Sequence, residues 1–319
     1  MNGTELSALF EKGGKRCHVI GSVENGVIAG LDLEGRLFTV MHGTVMNKVN
    51  PAAILGITSR SAYLNPGGDG LWPAPEGTRF GYEYPTGAWR VPPGLSGAKF
   101  RLIEASRTHG VIEAEVDLIN ASGLGIPTVF RRKITVETAE ATLVVKAIES
   151  IEYIGSKTLS RKECMLAPWT LCQFDSEAGC EVVFPETRDS AVWDLYDPSS
   201  AKRYVKDGLW HAKTDGGAKY QIGIDKAVEW IEFRNPAKHL IVRRSSGKLP
   251  PRHEYIDIID APPDKMPSDK RTRFSVYSDP AYFTEIEAVG GCPEKLEPGM
   301  IVLVEVTTEY GNTERKQEE

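Results

Sequence analysis

The sequence predicts an all-β protein, a sandwich or a barrel. Three observations carry that prediction: short alternating or β-branched runs recur along the chain, Gly, Pro, Asn or Asp bound each of them, and the best candidate for a helix is the short N-terminal segment Met1–Lys12. In chain order, examples among the early runs are His18–Val23, Arg36–Val40, Gly110–Leu118 and Phe130–Val136. Thr142–Ile151 follows, alternating well enough to turn one face to a core. Later runs are Glu181–Phe184, Tyr220–Ile224, Glu229–Phe233, His239–Arg243, Tyr255–Ile259, Tyr282–Glu287 and Met300–Val306. No linker or repeat divides them, so residues 1–311 are expected to form one domain, with Pro262–Lys270 as a polar loop and 312–319 as a charged, disordered tail.

Composition removes several function classes. The chain has 319 residues, a net charge of −6, 41% hydrophobic and 26% charged residues. Its Lys and Arg are scattered, which argues against a nucleic-acid partner, since phosphate binding needs a concentrated basic face. No run approaches the roughly 18 apolar residues of a membrane helix, and Met1–Leu6 does not open like a secretory signal. A cytoplasmic location with no membrane partner is therefore expected; the sequence does not indicate an oligomeric state. Five cysteines, an odd number, fit reduced thiols. Cys164, Cys172 and Cys180 recur every eight residues, but Pro168 and Gly179 interrupt the strand that would align them. The six histidines never fall at i, i+2 or i, i+4, so no metal clasp is expected.

The stretch Asn65–Gly77 concentrates glycine, proline, Trp72 and the acids Asp69 and Glu76. It is not a phosphate loop: Lys-Ser/Thr is missing after Gly70, and Pro73 and Pro75 would block the receiving helix. No nucleotide or other cofactor is expected. Trp72, Trp89, Trp169 and Trp210 all lie near Gly or Pro. Each ring could simply pack a core, but aromatics beside Arg60, Asp69, Glu76, Arg131 and Glu285 suit a carbohydrate, whose C–H faces stack on rings and whose hydroxyls need planar acceptors and donors. Glu285 and Glu287 stand two apart on a predicted strand and so share a face. Either that face is solvated, or one carboxylate lines a polar cleft with a raised pKa, as a general base requires. His211, beside Trp210 after the Asp207-Gly208 turn, is the histidine best placed to face a cleft.

Gly67-Gly68-Asp69-Gly70-Leu71-Trp72-Pro73-Ala74-Pro75-Glu76 resembles the GG-x-x-LW-x-APE signature of a bacterial family of unassigned activity within the galactose mutarotase-like (aldose 1-epimerase-like) superfamily. Ala167-Pro168-Trp169, then Phe184-Pro185, then Tyr282–Glu287 and Leu296-Glu297-Pro298-Gly299 are similar to that superfamily's later motifs, in the same order. The resemblance spans roughly residues 18 to 310.

It implies a galactose mutarotase-like β-supersandwich, mostly antiparallel, with a sugar cleft on one sheet. In aldose epimerases a His protonates the ring oxygen while a late Glu takes the anomeric hydroxyl proton. Glu285 or Glu287 matches the Glu, but Pro168-Trp169 stands where epimerases carry Asn-His, and Pro66-Gly67-Gly68 where they carry His-Gly-Gly. The expected cleft therefore contains Arg60, Asp69, Trp72, Glu76, Trp169, Glu285 and Glu287, with His211 supplying the acid from another strand. One reading is a sugar epimerase with Glu285 as base; the alternative is a non-catalytic sugar-binding or sensing protein. Whether His211 faces the late carboxylates separates them.

Overall fold

Strands that are apolar on one face must bury that face against another layer, and the runs do so by pairing into two antiparallel sheets of ten strands each. The computed structural model describes residues 1–58, 63–76, 93–120, 122–139, 141–258 and 271–312. The first sheet runs, edge to edge, Cys17–Gly21, Gly26–Gly30, Arg36–Met41, Asp69–Ala74, Ala167–Asp175, Phe283–Val289, Phe274–Asp279, Tyr220–Ile224 and Val192–Asp194, with Thr44–Val45 beside the third. The second runs Arg203–Lys206, Leu209–Lys213, Glu181–Pro185, Trp230–Asn235, Leu240–Ser246, Ile301–Asn312, Thr142–Tyr153, Gly125–Thr138, His109–Ile119 and Arg101–Ala105. The architecture is the all-β, mostly antiparallel sandwich that the sequence predicts.

The two inner faces meet in an extended apolar core. Phe174 of the first sheet stacks on Phe233 of the second, centroids 4.9 Å apart, and Ile134, Ile151, Val242, Val276 and Ile286 are fully buried. Each such side chain contributes about 1.5–3 kcal/mol by leaving water. Buried arginines cross this core as well. Arg132 Nη2 lies 2.6 Å from Glu149, and its Nη1 donates to the carbonyls of Gly35 and Asp69 at 2.8 and 2.7 Å. Arg244 pairs with Asp69 at 2.9 Å and donates to Thr170 Oγ1.

The N-terminal helix spans Gly3–Lys12, where Asn2 and Glu5 form a reciprocal capping box. Its Leu6 and Phe10 cover Ile28, Phe38 and Val40 on the outer face of the first sheet. That face is therefore sealed at one end.

Three of the segments singled out in the sequence differ in the structure. Asp69–Ala74, part of the glycine- and proline-rich stretch and not among the strand runs read from the sequence, is a strand along its whole length against Ala167–Cys172. Pro73 is tolerated there because it sits opposite Pro168, a rung at which neither residue has an N–H to donate. Tyr255–Ile258 carries a strand composition but joins no ladder; it is packed instead, with Ile258 1% exposed, so apolar burial rather than pairing explains its residues. The last strand continues through Asn312, one residue into the expected tail. The loop Pro262–Lys270 and residues 313–319 lie outside the described residues.

Candidate functional site

The two-residue period of Ala167–Asp175 assigns its side chains to opposite faces. Thr170, Cys172 and Phe174 reach the second sheet through Arg244, Tyr310 and Phe233. Trp169, Leu171 and Gln173 must then face outward. Register brings partners beside them: Trp72 opposite Trp169, Glu285 opposite Gln173 and Glu287 opposite Leu171. On the next strands Tyr277 pairs with Glu285, Ser275 with Glu287 and Gln221 with Tyr277.

These outward residues enclose a cavity of about 580 Å³ whose floor is Trp72, Trp169, Gln173, Gln221, Glu285 and Glu287. The volume is that of an ordinary small-molecule site. Trp72 and Trp169 meet edge to face, centroids 6.0 Å apart. The Trp169 indole N–H donates to Glu287 Oε2 at 3.0 Å, and Gln221 Nε2 donates to both Glu287 oxygens at 3.2 and 3.1 Å and to Ser275 Oγ at 3.0 Å. Gln173 Nε2 donates to Glu285 Oε1 at 2.6 Å and to Asn65 Oδ1 at 3.2 Å. The carboxamide oxygen of Gln173, Oε1, accepts nothing among the described residues. Tyr196, Asp197 and Lys219 stand exposed at the mouth, beside the half-buried Tyr277, Asp279 and Phe283.

Burial, and the negative charge of Glu287, push the Glu285 carboxyl well above the usual carboxylate range. Burial also pushes Glu287 up, to about 7, although its hydrogen bonds with Glu285, Ser275, Trp169 and Gln221 favour the ionised form. The two carboxyls are hydrogen-bonded to each other and titrate as a pair. Tyr277 is raised too, by burial and by the neighbouring Asp279, to which its hydroxyl donates.

Of the residues expected in a cleft, Trp72, Trp169, Glu285 and Glu287 come together here. His211 does not. It lies on Leu209–Lys213 in the second sheet, on the same face as Glu232, opposite Phe233 and the core. There its Nδ1 meets Glu181 Oε2 at 2.9 Å and its ring stacks on Tyr204 at 4.8 Å. The whole inter-sheet core separates it from Glu285. Asp69 faces inward and pairs with Arg244. Glu76 is 3% exposed and does not line the cavity, and Arg60 lies outside the described residues. The sequence reading missed Gln173 and Gln221. Each is a polar interruption in an apolar strand, and that was the available signal.

The glycines of the Asn65–Gly77 stretch serve shape. Gly67 and Gly68 turn the chain at φ of 82° and 70°. At Gly70 a Cβ would lie 2.7 Å from the guanidinium of Arg36, which is fully buried and bound to Glu34 at 2.9 Å and to Tyr63 at 3.1 Å. Gly70→Ala is therefore expected to destabilise the protein by about 1–3 kcal/mol through forced displacement of Arg36. An unchanged urea midpoint would show that the guanidinium yields freely.

No protein-family model matches the sequence, and no curated protein matches it. Solved structures do. A galactose mutarotase-like protein from Clostridium acetobutylicum superposes with a TM-score of 0.58 at 10% identity, covering 93% of this chain and 96% of that one. One from Lactobacillus casei gives 0.54 at 11%, covering 92% and 100%. A galactose mutarotase related enzyme from Lactobacillus acidophilus gives 0.52 at 11%, covering 93% and 98%. Two sheets of this size, matched over nearly the full length of each partner, show that the chain has the galactose mutarotase-like fold.

Proposed function

We propose that the protein binds a carbohydrate in the cavity on the outer face of the first sheet. The observation that carries this reading is the floor, where two carboxyls and two carboxamides lie between aromatic rings. A polyhydroxylated ring needs that combination: apolar faces for its C–H surfaces and dense planar acceptors and donors for its hydroxyls. The open oxygen of Gln173 is one acceptor that a sugar hydroxyl would satisfy. The fold neighbours named for galactose mutarotase point the same way. Metal and cofactor play no part in the proposal.

Trp72 and Trp169 are 3% exposed each, so they close the floor and leave little ring face to a ligand. Stacking falls to Tyr196, which is 40% exposed at the mouth. Tyr196→Ala is expected to weaken sugar affinity about tenfold with an unchanged melting temperature. Saturation-transfer NMR against a panel of reducing hexoses and pentoses, followed by calorimetry on the variant, tests the reading; no binding by any sugar of the panel overturns it.

A second reading, sugar binding or sensing without catalysis, is favoured by one observation. None of the six histidines, all of them described, lines the cavity, so the acid of a His–Glu epimerase pair is missing.

A further inference from the structure

We propose that Glu285 and Glu287 together form the acid–base pair of an anomer-exchanging site, with Glu285 as acid and Glu287 as base, in place of a histidine acid on another strand. This inference rests on the carbohydrate reading of the same cavity. Its geometry is local. The two side chains leave one strand at i and i+2, reach the same face, line the same cavity and hydrogen-bond to each other.

Their other partners divide the roles. Glu287 accepts from the Trp169 indole and from the Gln221 carboxamide, and donors aimed at a carboxyl favour its ionised form. Glu285 accepts from Gln173 alone among the described residues, with the Glu287 and Asp279 carboxyls close by. The shared proton therefore belongs on Glu285. This reverses the role the sequence suggested for that residue.

The chemistry suits two adjacent carboxyls. In a cyclic aldose the anomeric hydroxyl and the ring oxygen are bonded to the same carbon, so acid and base need not lie on opposite sides of the substrate. Glu287 takes the hydroxyl proton while Glu285 gives its proton to the ring oxygen. The bond from the anomeric carbon to the ring oxygen breaks, its electron pair stays on that oxygen, and the carbon–oxygen double bond of the open-chain aldehyde forms. After rotation about the adjacent carbon–carbon bond the steps run backward on the other face. Glu285 recovers its proton from the ring hydroxyl, and Glu287 returns its proton to the new anomeric oxygen. The pair holds one proton before and after, so nothing is consumed.

A competent pair carries one proton, which predicts a bell-shaped pH–rate profile. Activity rises as the first proton leaves, near the value of about 7 to which burial raises Glu287, and falls when Glu285 ionises at higher pH. Among the described residues, the charged and titratable groups facing the pair are Arg36 from Arg36–Met41, Tyr277 and Asp279 from the adjacent strand Phe274–Asp279, and Asp197 and Lys219 at the mouth.

The experiment follows anomer exchange of α-D-glucose and α-D-galactose by polarimetry from pH 5 to 10, in wild type, Glu285→Gln and Glu287→Gln. Binding of both sugars and of the wider panel is read by saturation-transfer NMR. The expected result is exchange by wild type with a bell-shaped profile, and a loss of about a hundredfold or more in each variant with binding retained. Wild type that binds sugar but leaves exchange at the buffer rate overturns the acid–base pair and leaves the binding reading standing. So does a variant within a few fold of wild type, or a rate flat across the pH range, a readout that survives if a variant fails to fold. No binding by any sugar overturns both.

Discussion

Arg132→Met will destabilise the protein by about 3–5 kcal/mol, because it strands a carboxylate in the core. Glu149 is fully buried and 2.6 Å from the Arg132 guanidinium, and burial already raises its pKa against the pull of that arginine. Without the cation it must take up a proton or remain an unpaired buried charge. The same substitution also takes donors from the carbonyls of Gly35 and Asp69. The destabilisation should therefore grow from pH 5 to pH 8, as protonation of Glu149 becomes harder. The double variant Arg132→Met, Glu149→Leu should recover most of the loss, since apolar packing can replace a buried pair. Urea midpoints of the three proteins decide the matter; a single variant as stable as the double one would mean that water reaches Glu149.

Stability of the ligand-free protein is expected to fall as pH rises from 5 to 8, and Glu287→Gln should flatten that dependence. The sign follows from the direction of the shift. Glu287 has a folded value of about 7 against an ordinary 4.5, so the fold binds its proton more tightly than the unfolded chain does. The stabilisation is complete below about pH 4.5 and is lost as pH climbs through about 7. For this fully buried group the span corresponds to about 3 kcal/mol. Glu285 is raised as well and extends the decline to higher pH. Denaturation curves at four pH values, for wild type and variant, give the difference directly. Parallel stability curves would show that the carboxyl is solvated in solution.

Alternation and turn residues were enough to read the sandwich, since each depends on neighbours in sequence. The Thr142–Tyr153 strand and the i, i+2 placement of Glu285 and Glu287 were legible for that reason. Which face each strand turns to the core is a long-range property. Gln221 and Glu287 meet across 66 residues, and nothing local announces that meeting. Asp69 shows how one error propagates. Without a strand assignment it is free to join Trp72 at a ligand; on a strand, residues three apart point to opposite faces, so Asp69 enters the core while Trp72 lines the cavity. His211 was misplaced for a related reason. The Trp210-His211 pair shows an aromatic and an imidazole together but not which sheet they join.

The strand Ala167–Asp175 gives Thr170, Cys172 and Phe174 to the seam between the sheets and Trp169, Leu171 and Gln173 to the cavity. Mutational drift can therefore rewrite the pocket one residue in two while the interior stays as it was. Such a scaffold can change its ligand without re-learning how to fold. The fold shared with solved structures at 10–11% identity fits that separation of interior from pocket.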